Sequence, residues 1–180
     1  QIYRMVRQTK RVIGDNANLV RRFAPMTGRV FGVDYSPDGK RITAASSLDG
    51  KGYVNVYASD IDSALSEDLK KIMQKVASSR NQEERKKVEA FWTQGTELIS
   101  SASFDAALYA VAFHPNGQQV AVGGADGVIR VLDAQSAALT RAFVPVPLED
   151  TESDALYTLS VSPSSLDFTH AYQSVQLVVQ

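Results

Sequence analysis

The sequence predicts an all-β repeat protein interrupted by one α-helical hairpin, and three observations carry the prediction. A strand-and-turn signature occurs twice, at Val30–Lys40 and again at Tyr109–Gln118. Each copy leads into further runs in which apolar and polar residues alternate with period two. Between the copies, residues 64–95 lose that alternation and repeat their apolar residues at helical spacing instead.

The elements follow in chain order. Ile2-Tyr3-Arg4-Met5 reads as the third strand of a unit, and Leu19–Phe23 as a fourth strand preceding the first copy. In that copy the alternating run meets Pro37-Asp38-Gly39; the second uses Pro115-Asn116-Gly117. Proline presets φ for the turn and glycine accepts the positive φ that closes a hairpin. The second strands, Arg41–Ser47 and Gln119–Ala125, are rich in small residues, as suits a close approach between sheets. Third strands follow at Tyr53–Tyr57 and Val128–Asp133. Asp126-Gly127 makes the turn into the later one, and the longer Asp49-Gly50-Lys51-Gly52 reads as a widened hairpin. Fourth strands are expected at Leu98–Ala102 and Ala138–Phe143. The expected core of the second copy is Val111, Phe113, Val120, Val122, Ile129 and Val131.

Equivalent turn residues Asp38 and Asn116 lie 78 positions apart, against about 40 to 45 for a four-stranded repeat of this kind. The excess is the helical insert. Leu65, Leu69, Ile72, Met73 and Val76 place a helix over residues 66–77. Asn81 with Glu84 three residues on forms a capping box that starts a second helix over 82–94, and Gly95 suits its end. Val88, Phe91 and Trp92 line one face of it. Phe91 and Trp92 have two readings: anchors for a protein partner, or the hairpin's own small core. The charges of Lys70-Lys71 and Glu83–Lys87 pair at helical spacing and keep the outer face solvated.

Net charge is −1, but residues 1–41 carry nine Lys or Arg against three Asp, so this stretch is near +6 and the remainder near −7. Basic stretches attract nucleic acid or anionic lipid. Here Arg4, Arg7, Lys10, Arg11, Arg21 and Arg22 fall on strands and turns without interleaved aromatics, which predicts a solvated rim. With no cysteine, disulfides, c-type haem attachment and thiolate metal sites are excluded within these residues. No stretch is long and apolar enough to cross a bilayer as a helix.

Catalytic signals are missing as well. His114 takes the turn position that Ser36 holds in the other copy, and His170 stands in an unrelated context. Gly123-Gly124 lies inside a strand rather than before a Lys-bearing helix. Ser46-Ser47 and Ser100-Ser101 have no partnered histidine, and the Asp49 loop has one carboxylate where a calcium loop needs several. No catalytic residue, cofactor or metal is expected.

Four short strands per repeat resemble the blades of WD40 β-propellers, and the resemblance spans residues 1–147. It implies an interaction scaffold that binds a protein partner or other domains of the same chain, with no nucleic acid and no membrane span. The pattern departs from the family at the Trp-Asp pair closing the third strand, which is Tyr57-Ala58 and Leu132-Asp133 here, and in lacking a Gly-His pair. The family's Asp-His-Ser-Trp hydrogen-bond set is therefore incomplete, although Asp126 occupies the expected turn position, and packing must hold the blades. Because a propeller takes typically four to eight blades, the sequence is expected to be an excerpt of a longer protein. Residues 148–154 read as an acidic linker. Residues 155–180 resemble the first strands of a bacterial immunoglobulin-like domain. The combination resembles large multidomain bacterial proteins that often also carry cytochrome c domains, which implies a periplasmic or extracellular location. The alternative is an accessory propeller domain of a secreted redox or hydrolytic enzyme whose active site lies outside these residues.

Overall fold

Each copy of the turn signature builds one four-stranded antiparallel sheet. The computed structural model describes residues 1–10, 12 and 14–146, together with the backbone of 161–162 and 178–179. The chain divides into two units, Gln1–Pro145 and Val146–Gln180. In the first, β1 (Ile2–Tyr3) pairs with β2 (Leu19–Arg21). The first sheet has the order β3 (Arg29–Tyr35), β4 (Arg41–Leu48), β5 (Lys51–Ala58) and, beyond two helices, β6 (Leu98–Phe104). The second has β7 (Leu108–Phe113), β8 (Gln119–Gly124), β9 (Ile129–Asp133) and β10 (Leu139–Phe143). In the second unit β11 (Val161–Ser162) pairs antiparallel with β12 (Val178–Val179). The rest of the expected linker and immunoglobulin-like strands lies outside the described residues.

The two Pro-x-Gly turns close as their chemistry requires, with Gly39 at φ +70° and Gly117 at φ +71°. One turn differs from expectation. Asp49 and Gly50 both take positive φ, and Leu48 pairs directly with Lys51, so this is a tight two-residue hairpin. Asp-Gly is the pair that tolerates two positive φ values, so the ladder runs to the end of the turn. The wider connection is the other one, between Gly124 and Ile129.

Packing between the sheets supplies the main core. Ala45, Val54 and Val56 of the first sheet meet Leu108, Phe113, Val120, Val122 and Leu132 of the second. Leu132 stands where the family pattern has tryptophan, and it is buried there. Of the six expected core residues, Phe113, Val120 and Val122 are buried while Val111, Ile129 and Val131 are half-buried. Val131 lines the face of the second sheet turned away from the first, beside a cavity of about 660 Å³.

Four polar contacts cross between the sheets, and in one of them Ser100 Oγ donates to Ala134 O at 2.9 Å. Ser47 Oγ donates to Leu108 O and accepts from Leu108 N, both at 2.7 Å. Asp34 Oδ2 accepts from Phe113 N at 2.7 Å, and Arg41 Nη2 donates to Gly117 O at 2.6 Å. Gly52 allows this approach, since a Cβ there would lie 2.4 Å from Ala106 O. Asp126, at its turn, accepts from Val128 N and pairs with Arg130. The Arg130 guanidinium holds the Asp126 carboxyl below its ordinary value, and Asp126 raises Arg130 in turn.

The insert leaves the first sheet after its third strand, as α1 (Glu67–Gln74) and α2 (Gln82–Thr93). The Asn81–Glu84 capping box is present, and Gly95 takes φ +72°. Helix α1 stops three residues short of the expected 77. Lys75 is extended, and Val76 precedes a single 3₁₀ turn, Ala77–Ser79. The cause is Arg80, whose side chain takes the terminal carbonyls of α1 and so fixes where that helix ends.

Candidate functional site

Two features outside the strand ladders distinguish this molecule: the docked helical hairpin, and an aromatic pair shared by the two sheets. The hairpin covers β2. Leu19 packs with Leu65, Ile72, Met73, Val88, Phe91 and Trp92 in a second apolar cluster. Phe91 is 7% exposed and Trp92 6%, the arrangement expected of residues forming the hairpin's own core.

Two buried arginines finish the two helices. Arg21, 3% exposed, donates to Gln94 O at 2.7 Å and to Asp62 O at 2.9 Å. Arg80, 4% exposed, donates to Ile72 O, Met73 O and Lys75 O, and to Asn16 Oδ1. The last carbonyls of a helix lack intrahelical partners and carry the negative end of its dipole, so a cation there satisfies both. Burial pushes both guanidinium pKa values down from the ordinary arginine value.

The last residue of β2 and the one after it stack on consecutive residues of α2. The Arg21 guanidinium lies 4.4 Å over the Phe91 ring and that of Arg22 4.7 Å over Trp92. Arg22 N also donates to Trp92 O at 2.7 Å. This corrects the expectation of a solvated basic rim without stacking aromatics. Arg21 is buried, Arg22 is half-buried, Arg4 donates to Ser63 O, and Arg7 pairs with Asp15. Only Lys10 of the set is plainly exposed, and Arg11 lies outside the described residues. The aromatics arrive from a segment some 70 positions later, which no inspection of local interleaving detects.

The second feature was not legible from alternation. Phe31 and Tyr109 hold equivalent positions in the two copies, and in each sheet the first ladder shifts register at that residue, between Val30 and Gly32 and between Leu108 and Ala110. A bulge takes its residue out of the in-and-out order and re-aims its side chain. Both rings lie at the surface, 47% and 49% exposed, with centroids 5.2 Å apart in an edge-to-face pair. Arg29 lies 5.4 Å over the Phe31 ring, and the exposed Leu48 belongs to the same sheet. The sequence signal was an aromatic at the same repeat position in both copies.

Beside them, Val30, Val33 and Tyr35 line a cavity of about 690 Å³ together with Phe23, Pro25 and Tyr57. Tyr57, in the family's tryptophan position, is buried, packs on Phe23 at 5.2 Å and accepts from Asn55 Nδ2 at 2.7 Å. Among the described residues no group of three or more His, Cys, Asp or Glu is placed to hold a metal ion, and no helix is long and apolar enough to cross a membrane.

No curated protein matches this chain. The family model described as WD domain, G-beta repeat, matches residues 18–54 and 90–133. The first span holds β2 to β4 and the start of β5, the second β6 to β9, and the gap between them contains most of the insert. WD40 repeats generally act as protein-interaction scaffolds without catalysis of their own, and it is repeats of this family that residues 18–54 and 90–133 match.

Proposed function

We propose that this chain is a non-catalytic interaction scaffold, and that a protein partner docks on the Phe31–Tyr109 pair. One observation carries the reading: both copies place an exposed aromatic at a ladder irregularity of the same repeat position, and the two rings meet across the sheets. Aromatics and arginine are the residue types enriched where protein interfaces concentrate their energy, and Arg29 stands over Phe31. Phe91 and Trp92 then serve to attach the hairpin. The wider context in this proposal is a segment of a large multidomain bacterial protein, periplasmic or extracellular, with residues 148–154 as a linker and 155–180 opening an immunoglobulin-like module. It is supported by the sequence resemblance alone.

The test is a double variant, Phe31→Ala with Tyr109→Ala. Both rings are about half-exposed, so the melting temperature should stay within a few degrees. Capture of a partner from an extract of the source cells should fall at least tenfold against wild type, as for loss of two interface anchors worth about 1–2 kcal/mol each. Capture at the wild-type level by the folded variant would sink the assignment.

A further inference from the structure

A cavity of about 510 Å³ lies between the chain ahead of β2 and the helical hairpin, and its wall is lined by Arg22, Arg80, Arg85, Trp92, Asn16 and Glu89, among others. We propose that it is a binding site for a small oxyanion, of the phosphate or carboxylate class. The argument rests on what the wall still has to offer. Trp92 Nε1 is buried and has no hydrogen-bond partner, and the same holds for Arg22 Nε. Both belong to the one stacked pair, whose guanidinium and ring are 4.7 Å apart. A buried donor left without a partner is costly, and more so when it is charged, so two in one pair call for an acceptor. An indole N–H and a guanidinium have nothing to give except hydrogens.

Charge points the same way. Arg80 hydrogen-bonds to carbonyl and amide oxygens, and Arg85 to Ser78 O at 3.4 Å; neither is in contact with a carboxylate among the described residues. The one carboxylate in the wall is Glu89, 3.5 Å from Arg22 and half-exposed. Three guanidiniums against one carboxylate leave the wall near +2. Asn16 has committed its Oδ1 to Arg80, so its amide N–H₂ is a further donor. An oxyanion would accept from these groups, with Arg85 free to swing in as a fork.

Trp92 is the chain's single tryptophan, so its fluorescence reports on this pocket without a label. In the full 180-residue chain, inorganic phosphate titrated at constant ionic strength against chloride should give a saturable change in Trp92 emission. Arg85→Gln, an exposed position outside the core, should weaken the apparent affinity at least tenfold with unchanged melting. Glu89→Gln, which removes the competing carboxylate, should strengthen it severalfold. A parallel titration with acetate separates the sources: saturation by both anions assigns a general oxyanion site, and by phosphate alone a phosphoryl site. A response that chloride reproduces, or one indifferent to both substitutions, would overturn the proposal.

Discussion

Ser47→Ala removes one oxygen, and two contacts between the sheets depend on that oxygen. Ser47 Oγ accepts from Leu108 N and donates to Leu108 O, each at 2.7 Å, and Leu108 is fully buried. Each bond has a net value of about 1 kcal/mol, and an orphaned buried N–H or C=O costs about 1–3 kcal/mol. Ser47 itself is only half-buried, so water reaches part of the vacated space and the lower half of that range applies. The expected loss is about 2–4 kcal/mol, which for a unit of this size lowers the melting temperature by roughly 6–15 °C. Ser46→Ala is the internal comparison: its hydroxyl makes one bond, to Thr27 O at 2.7 Å, and its loss should cost about 1–2 kcal/mol. Urea unfolding with an unchanged m-value measures both, and hydrogen exchange at the Leu108 amide localises the effect. If Ser47→Ala cost less than about 0.5 kcal/mol and the Leu108 amide stayed protected, the serine would not be what ties β7 to the first sheet.

Three further outcomes follow from the same packing. Phe113→Ala should cost about 3–5 kcal/mol, because the ring fills the shared core of the two sheets; an unchanged melting temperature would mean the wrong face was assigned. Arg21→Met should cost about 2–4 kcal/mol by orphaning the Gln94 and Asp62 carbonyls, and limited proteolysis should then cut first within residues 64–95. Asp126 has its carboxyl pKa depressed in the fold by Arg130, so its contribution is complete above the ordinary aspartate pKa and is lost as pH falls through the lower folded value. Asp126→Asn should therefore remove about 0.5–1 kcal/mol at neutral pH and flatten the acid limb below pH of about 4; an identical acid limb in the variant would exclude the pair as its source.

What the sequence made legible was local chemistry. The Pro-x-Gly turns, the strand alternation and the Asn81–Glu84 capping box each depend on residues within a few positions of one another, and each appears in the structure at its expected place. What it hid were matters of register and of distance along the chain. Whether Asp49-Gly50 makes a tight or a wide hairpin depends on how far Ser47 and Gly52 continue the ladder, which the turn residues alone do not state. Phe31 and Tyr109 break the alternation by one position, so period-two reading assigns them no outward role. The half-burial of Val111, Ile129 and Val131 depends on what faces their sheet, a property of neighbours and not of the strand.

Arginine is the residue whose role sequence reading misjudged most, for a physical reason. A guanidinium can cap a helix, stack on a ring or stay solvated, and the choice is made by partners far away in the chain. Arg21 ends a strand of three residues and Arg22 directly follows it, and that strand is too short to hold its place by ladder bonds alone. Their partners lie about 70 positions on, at the end of α2. Because adjacent cations meet adjacent rings, a one-residue slip of β2 along α2 would break both stacks and the Gln94 contact together. The insert is thereby fixed in register as well as attached, which is the condition for a donor-lined cavity at its base to keep its shape.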